Sequence, residues 1–376
     1  MQTEAIPRPT TSSRDRYVDL LRAFSLAVVV VGHWFLALIW WSDGRIGVHN
    51  VVGPTSGLWP LTWVVQAMPL FFFVGGISNF ETFRTQISRG RTSRRWLALR
   101  AERLLGPLLA FAAAWGLAET ALHLLGLGGG GLIRGSFLPF VPVWLLLIFL
   151  GVRVATPAML WLHQRAGAWV PFALAVLAAV VDLLRFWPNV PAVGWLNLAL
   201  VWLFAHQLGF FYADGSLVRA GPRVHTSMTL GGLLALLVLT NLNVYPRSMV
   251  GTDLEAVSNM NPPTLCIVAL TLSLVGAALL LRQRAKSWLE RERAWVTLVA
   301  NARIITIYLW HLTAYLLAIL ALYPLGLGRP SDGTLSWWLQ RPLWVVVPAV
   351  FLGLLVFVFG RFERVRLPST RTVAEG

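Results

Sequence analysis

Residues 17–41 read YVDLLRAFSLAVVVVGHWFLALIWW. A helix needs about 20 mostly apolar residues to cross a bilayer. This run is long enough and carries only three ionisable side chains, Asp19, Arg22 and His33. It is too long for the apolar core of a signal peptide and holds charge inside, so it reads as a first membrane span. Nine comparable runs follow, at roughly 59–82, 97–126, 139–162, 169–187, 194–212, 226–245, 264–281, 301–323 and 337–360. The run at 139–162 is the most interrupted, with Pro139, Pro142 and Pro157 around it and Arg153 inside. The expected fold is therefore all-α, a polytopic bundle of about ten transmembrane helices.

Composition points the same way. Of 376 residues, 57% are hydrophobic and 12% charged, about half the charge of an ordinary globular chain. A soluble protein of this length could not cover itself with polar side chains, and disorder requires low hydrophobicity. Cys266 is the single cysteine, which excludes a disulfide framework. The net charge is +15, nearly all from arginine. That charge lies in short clusters between apolar runs, the pattern of a membrane protein rather than of a nucleic-acid binder.

The clusters also set the expected orientation. With the N-terminus inside, the inner face holds Arg8, Arg14 and Arg16, the Arg84–Arg103 cluster, Arg165, Arg219 and Arg223. It also holds the Arg282–Arg293 cluster and Arg361–Arg371, whereas the outer face receives Arg45, Arg134, Arg247, Arg329 and Arg341. This asymmetry predicts an inner-membrane protein with both termini cytoplasmic. The expected division is a tail at 1–16, a transmembrane domain at 17–361 and a second tail at 362–376.

Ionisable groups within spans are expensive to hold and mark candidate sites. Arg22 and His33 are eleven residues apart, close to three whole helical turns, so they share one face about 16 Å apart along the axis. Asp19 lies one turn before Arg22 on nearly the same stripe. The span thus offers a cation near its inner end and an imidazole farther along, a spacing that suits a long donor with an anionic head and a reactive far end. The structural reading of the same residues is a hydrogen-bonded histidine and a snorkelling arginine. Arg100 and Arg103 sit one turn apart where the third span begins and could grip phosphate oxygens. In the second span Pro69 loosens the helix, and Gly75 and Gly76 permit close packing. Asn301, Tyr308 and His311 could line a polar cavity in the ninth. Asp182 and Arg185 are expected to pair.

Scattered histidines argue against a structural zinc site. The serine-hydrolase elbow, the phosphate-binding loop and the dinucleotide fingerprint are all missing from the sequence. A proton-coupled transporter or flippase for an acidic metabolite or lipid remains compatible with these residues.

The stretch Arg14-Asp-Arg-Tyr-Val-Asp-Leu-Leu-Arg22, followed ten residues later by His33, resembles the membrane acyltransferase-3 family. So do Phe71-Phe-Phe-Val-Gly-Gly-Ile-Ser78, Arg100-Ala-Glu-Arg103 and Tyr308-Leu-Trp-His311, in that order along the chain. Gly75 departs from the serine that many members carry there. The resemblance implies a bacterial membrane enzyme that moves an acyl group, acetyl or another short acyl, from cytosolic acyl-CoA to a hydroxyl of a glycan, lipid-linked or secondary-metabolite acceptor. Under it His33 is the catalytic base, Asp19 orients Arg22, and Arg100 and Arg103 bind the donor. Ser78, Asn301, Tyr308 and His311 then face the acceptor or its cavity. The implied partners are the bilayer, acyl-CoA and the acceptor, with no bound cofactor, metal or nucleic acid.

Overall fold

The computed structural model of the chain describes residues 15–42, 45–52, 57–126, 137–187, 189–251, 257–291, 303–328 and 334–363. Among the described residues, ten helical segments are long and apolar enough to cross a membrane. Eleven helices build them: α1 (Arg16–Leu36), α2 (Trp59–Val65), α3 (Met68–Ser88), α4 (Ser93–Leu124), α5 (Val143–Ala166) and α6 (Trp169–Phe186), then α7 (Asn197–Ala213), α8 (Gly221–Thr240), α9 (Leu265–Arg291), α10 (Ile304–Leu322) and α11 (Leu335–Phe359).

Three boundaries differ from the sequence expectation. The first helix stops at Leu36, and Ala37–Ser42 (β1) pairs antiparallel with Arg45–Asn50 (β2). Apolar content concealed this hairpin: Leu38, Ile39, Trp40 and Trp41 satisfy a hydropathy criterion whether helical or extended. Where the helix ends, the Ala37 carbonyl accepts from Arg341 Nη1 at 3.2 Å. The second span is broken at Gln66 and Ala67, two residues before Pro69. Pro69 has no amide hydrogen for the Val65 carbonyl, and its ring crowds that carbonyl, so the helix ends at Val65. Gln66 occupies the gap and donates to the Met249 carbonyl at 3.1 Å. The eighth span continues past Arg282, Arg284 and Lys286 to Arg291.

The inner helices are α3, α7, α9 and α10. In the second span 72% of the apolar window is buried, against 22% in α4, α8 and α11, which face outward. The α3–α7 crossing depends on two glycines. A Cβ on Gly76 would overlap the His206 carbonyl, and one on Gly209 would overlap the Phe73 carbonyl. Without a hydrophobic drive between helices in lipid, such close backbone approach supplies the packing energy. Near this crossing Asn79 Nδ2 meets His206 Nε2 at 3.1 Å.

Both ends of the described chain are tied to the bundle. Asp15 caps α1 through the Tyr17 amide and accepts from Tyr212 at 2.9 Å on α7. It also lies 3.5 Å from Lys286 on α9. Glu363 caps α10 by accepting from the Ile305 and Thr306 amides and the Thr306 hydroxyl. The Asp182 carboxylate accepts from Asn197, Tyr245 and the Leu265 amide, while Arg185 donates to the Pro262 carbonyl. Asp182 therefore serves as a loop and helix anchor rather than as half of a simple pair with Arg185.

Candidate active site

Toward the C-terminal end of α1 a chamber of about 460 Å³ opens within the bundle. Its walls come from α1 (Val28, Val29, Gly32, His33), from β2 (Val48, His49, Asn50), from Gln66, from Trp144 on α5, and from Tyr308, Leu312 and Tyr315 on α10. The loop residues Ser258, Met260 and Asn261 complete it. The hairpin that ends α1 is thus part of the chamber wall. Its size and mainly apolar lining are those of a small-molecule site.

His33 is the histidine of α1 and α10 that reaches the chamber, and its ring is exposed there. Behind it stands His311, fully buried on α10, with its Nε2 at 3.1 Å from His33 Nδ1. The hydrogen-bond chain assigns the protons. A carbonyl only accepts, so His311 Nδ1, bonded to the Tyr308 carbonyl one turn back, carries its hydrogen. With both rings neutral, His311 Nε2 is then an acceptor, and His33 Nδ1 carries the hydrogen between them. The His33 Nε2 lone pair is then not committed to His311. The second nitrogen of a histidine sets the role of the first, and here it leaves a base available to a hydroxyl. Trp34 fixes the same two helices together by donating from Nε1 to the His311 carbonyl at 2.9 Å.

Nearer the N-terminal end of α1 lies a second cavity of about 100 Å³. Arg22, Ser78, Asn79, Arg153 and Tyr308 are its polar lining, with Gly75, Phe71 and Phe149 beside them. Arg22 is held by Asp19 at 3.0 Å, a buried carboxylate one turn back. Gly75 leaves the space that a Cβ would take from the Phe149 ring. Tyr308 lines both cavities, and so forms the partition between the arginine-bearing space and the His33 chamber.

Arg153 sits with its guanidinium 4.4 Å from the Phe149 ring centre. Its Nε is buried without a hydrogen-bond partner. Arg153 is half-buried, and a cation–π contact contributes about 0.5–2 kcal/mol, less than the several kcal/mol that full desolvation of an ion costs. Arg22, Arg100 and Arg103 all act on it electrostatically with the same sign. Three helices, α1, α4 and α5, therefore bring four arginines to one region.

The structure brings some expected residues together and separates others. Arg22, Ser78 and Tyr308 share the smaller cavity. His33 and Tyr308 share the chamber. His311 lies behind His33 rather than on the chamber wall. Arg100 and Arg103 flank the arginine region from α4 without lining either cavity. Asn301 lies outside the described residues. Among the described residues no histidine, cysteine or carboxylate cluster could hold a metal ion. Sequence reasoning did not assign Arg153, Asn79, Gln66 or Asn50 to the site. For Arg153 the signal was present, as an arginine within an apolar run. Asn79 and Gln66 are neutral, and hydropathy does not single them out.

Comparison with protein families matches residues 15–361 to the family described as an acyltransferase domain. Comparison with curated proteins and with solved structures finds no match.

Proposed function

The chain belongs to the acyltransferase-3 family and is a membrane-bound acyltransferase; on that premise we propose that it carries a short acyl group from acyl-CoA to an acceptor hydroxyl. The donor enters from the cytosolic side of the inner membrane, at the N-terminal end of α1, a reading that the arginine distribution supports. Arg100, Arg103 and Arg22 take its phosphates. The pantetheine arm passes Tyr308 and brings the thioester to His33. The acceptor, a glycan, lipid-linked or secondary-metabolite hydroxyl, occupies the chamber.

In the reaction His33 Nε2 takes the hydroxyl proton as the oxygen attacks the thioester carbonyl. The tetrahedral intermediate collapses, the carbon–sulfur bond breaks, and the imidazolium returns its proton to the departing coenzyme A thiolate. His311 stabilises the imidazolium by accepting from His33 Nδ1. Exclusion of water by the bundle strengthens these contacts.

The observation that carries this reading is the His33–His311 contact at 3.1 Å beside a chamber that His33 lines. The test is coenzyme A release from acetyl-CoA by membranes containing the protein, with envelope extract as acceptor source. His33→Ala is expected to abolish release at equal levels of folded protein. Full activity in that variant would remove His33 from the chemistry.

A further inference from the structure

Arg153 is the one arginine of the smaller cavity that the proposed reaction leaves without a task. It projects from the middle of α5, the span whose apolar window has a mean hydropathy of 2.2. Among the described residues no carboxylate lines the cavity it shares with Arg22. Asp19 is bonded to Arg22, and among the described residues the Arg153 Nε has no partner while the Phe149 ring lies against its guanidinium. Arg22, Arg100 and Arg103 add repulsion. A methionine or leucine would pack this span at no electrostatic penalty, so packing does not explain a guanidinium here. An anion does. The planar guanidinium offers paired N–H groups that match two phosphate oxygens, and a ligand charge between Arg22 and Arg153 converts repulsion into attraction.

We infer that Arg153 is a donor-binding residue which, together with Arg22, holds the pyrophosphate of acyl-CoA at the entrance to the His33 chamber. This rests on the donor proposed above. The order of groups in the donor fits the order of cavities. The pyrophosphate joins the pantetheine arm, and its cavity is the one that shares Tyr308 with the chamber. The 3′-phosphate is carried by the ribose, one sugar away from the pyrophosphate, and Arg100 and Arg103 lie outside the cavity lining. Tyr308 then stands where the phosphate-bearing part of the donor gives way to the neutral arm.

The test uses four donors with the same acyl group: acyl-CoA, its 3′-dephospho form, acyl-phosphopantetheine and acyl-pantetheine. Arg153→Met keeps the length of an apolar side chain, and Arg153→Lys keeps the charge without the fork. Arg153→Met is expected to raise KM for the three phosphate-bearing donors by about 10- to 100-fold, the worth of a lost charged hydrogen bond. KM for acyl-pantetheine and kcat for all four should be unchanged, and Arg153→Lys should fall between. Calorimetric titration of detergent-solubilised protein with free coenzyme A gives a second readout, with affinity expected to fall by the same factor. Equal losses on acyl-pantetheine and acyl-CoA would show a packing role and overturn the inference. So would an unchanged KM for acyl-CoA in Arg153→Met. If the wild type released coenzyme A from no acyl donor and bound none, the donor reading itself would fall, an outcome distinct from an active wild type with an indifferent Arg153.

Discussion

Replacing His311 by alanine separates the work of the two histidines. His311 is fully buried and its Nε2 faces His33 Nδ1 at 3.1 Å. Its own Nδ1 is bonded to the Tyr308 carbonyl. Alanine removes the fully buried acceptor for the His33 hydrogen. An unsatisfied buried group costs about 1–3 kcal/mol, which corresponds to about 5- to 150-fold in rate if the loss is felt in the transition state. It is felt there because the His33 imidazolium that forms during transfer makes the stronger hydrogen bond. The expected result of His311→Ala is therefore a fall in kcat of that size with KM for acyl-CoA unchanged, since His311 touches neither cavity. His311→Gln, whose amide oxygen can accept from His33, should recover part of the loss. The assay is steady-state coenzyme A release by purified protein, with thermal melting to establish that the variants are folded. The Trp34 bond goes to the His311 backbone and survives the substitution. An unchanged kcat in folded His311→Ala, or an effect confined to KM, would refute the assigned hydrogen-bond chain.

Two further expectations concern the scaffold. Gly76→Ala inserts a methyl group against the His206 carbonyl and should destabilise the protein by about 1–3 kcal/mol; Gly116→Ala, with nothing near its Cβ, should leave the melting temperature unchanged, and equal behaviour of the two variants would sink the close-packing argument. Burial raises the Glu363 carboxyl above its ordinary value of 4.5, outweighing the Thr306 and Ile305 bonds that favour the charged form. The folded state then holds this proton more tightly than the unfolded chain, so the contribution is fully present below the ordinary value and is lost as pH rises through the raised one. Melting curves across that window should show a downward slope in the wild type that flattens in Glu363→Gln; an identical slope in both would reject the assignment.

Much of the bundle was legible because the membrane imposes a one-dimensional rule. Each span must be a long apolar helix, and ten such helices occur where the runs predicted them. The rule failed at Ala37–Ser42, where an apolar stretch is a strand of a hairpin, because hydropathy reports where a segment is buried and not its backbone conformation. It also passed over the break at Gln66 and Ala67, which is stabilised by the Met249 carbonyl 183 residues away. In the site, Arg22 and His33 could be placed on one face of one helix by their spacing alone, since that face follows from helical periodicity. Arg153 stood out by its charge in an apolar run, but nothing local connected it to Arg22.

The linear order of residues was enough for the class, a multi-pass α-helical acyltransferase, and for the residues of each motif. Periodicity and hydrophobicity are properties of neighbouring residues, so they survive in the linear order. Tertiary structure decided the pairings: His33 against His311 across 278 positions, Tyr308 as the wall between two cavities, and Arg153 beside Arg22. Those contacts depend on which helices cross, and the crossing of α3 and α7 is set by glycines that admit one backbone against the other. The geometry of such a crossing follows from packing in three dimensions, so no local stretch of the chain encodes it.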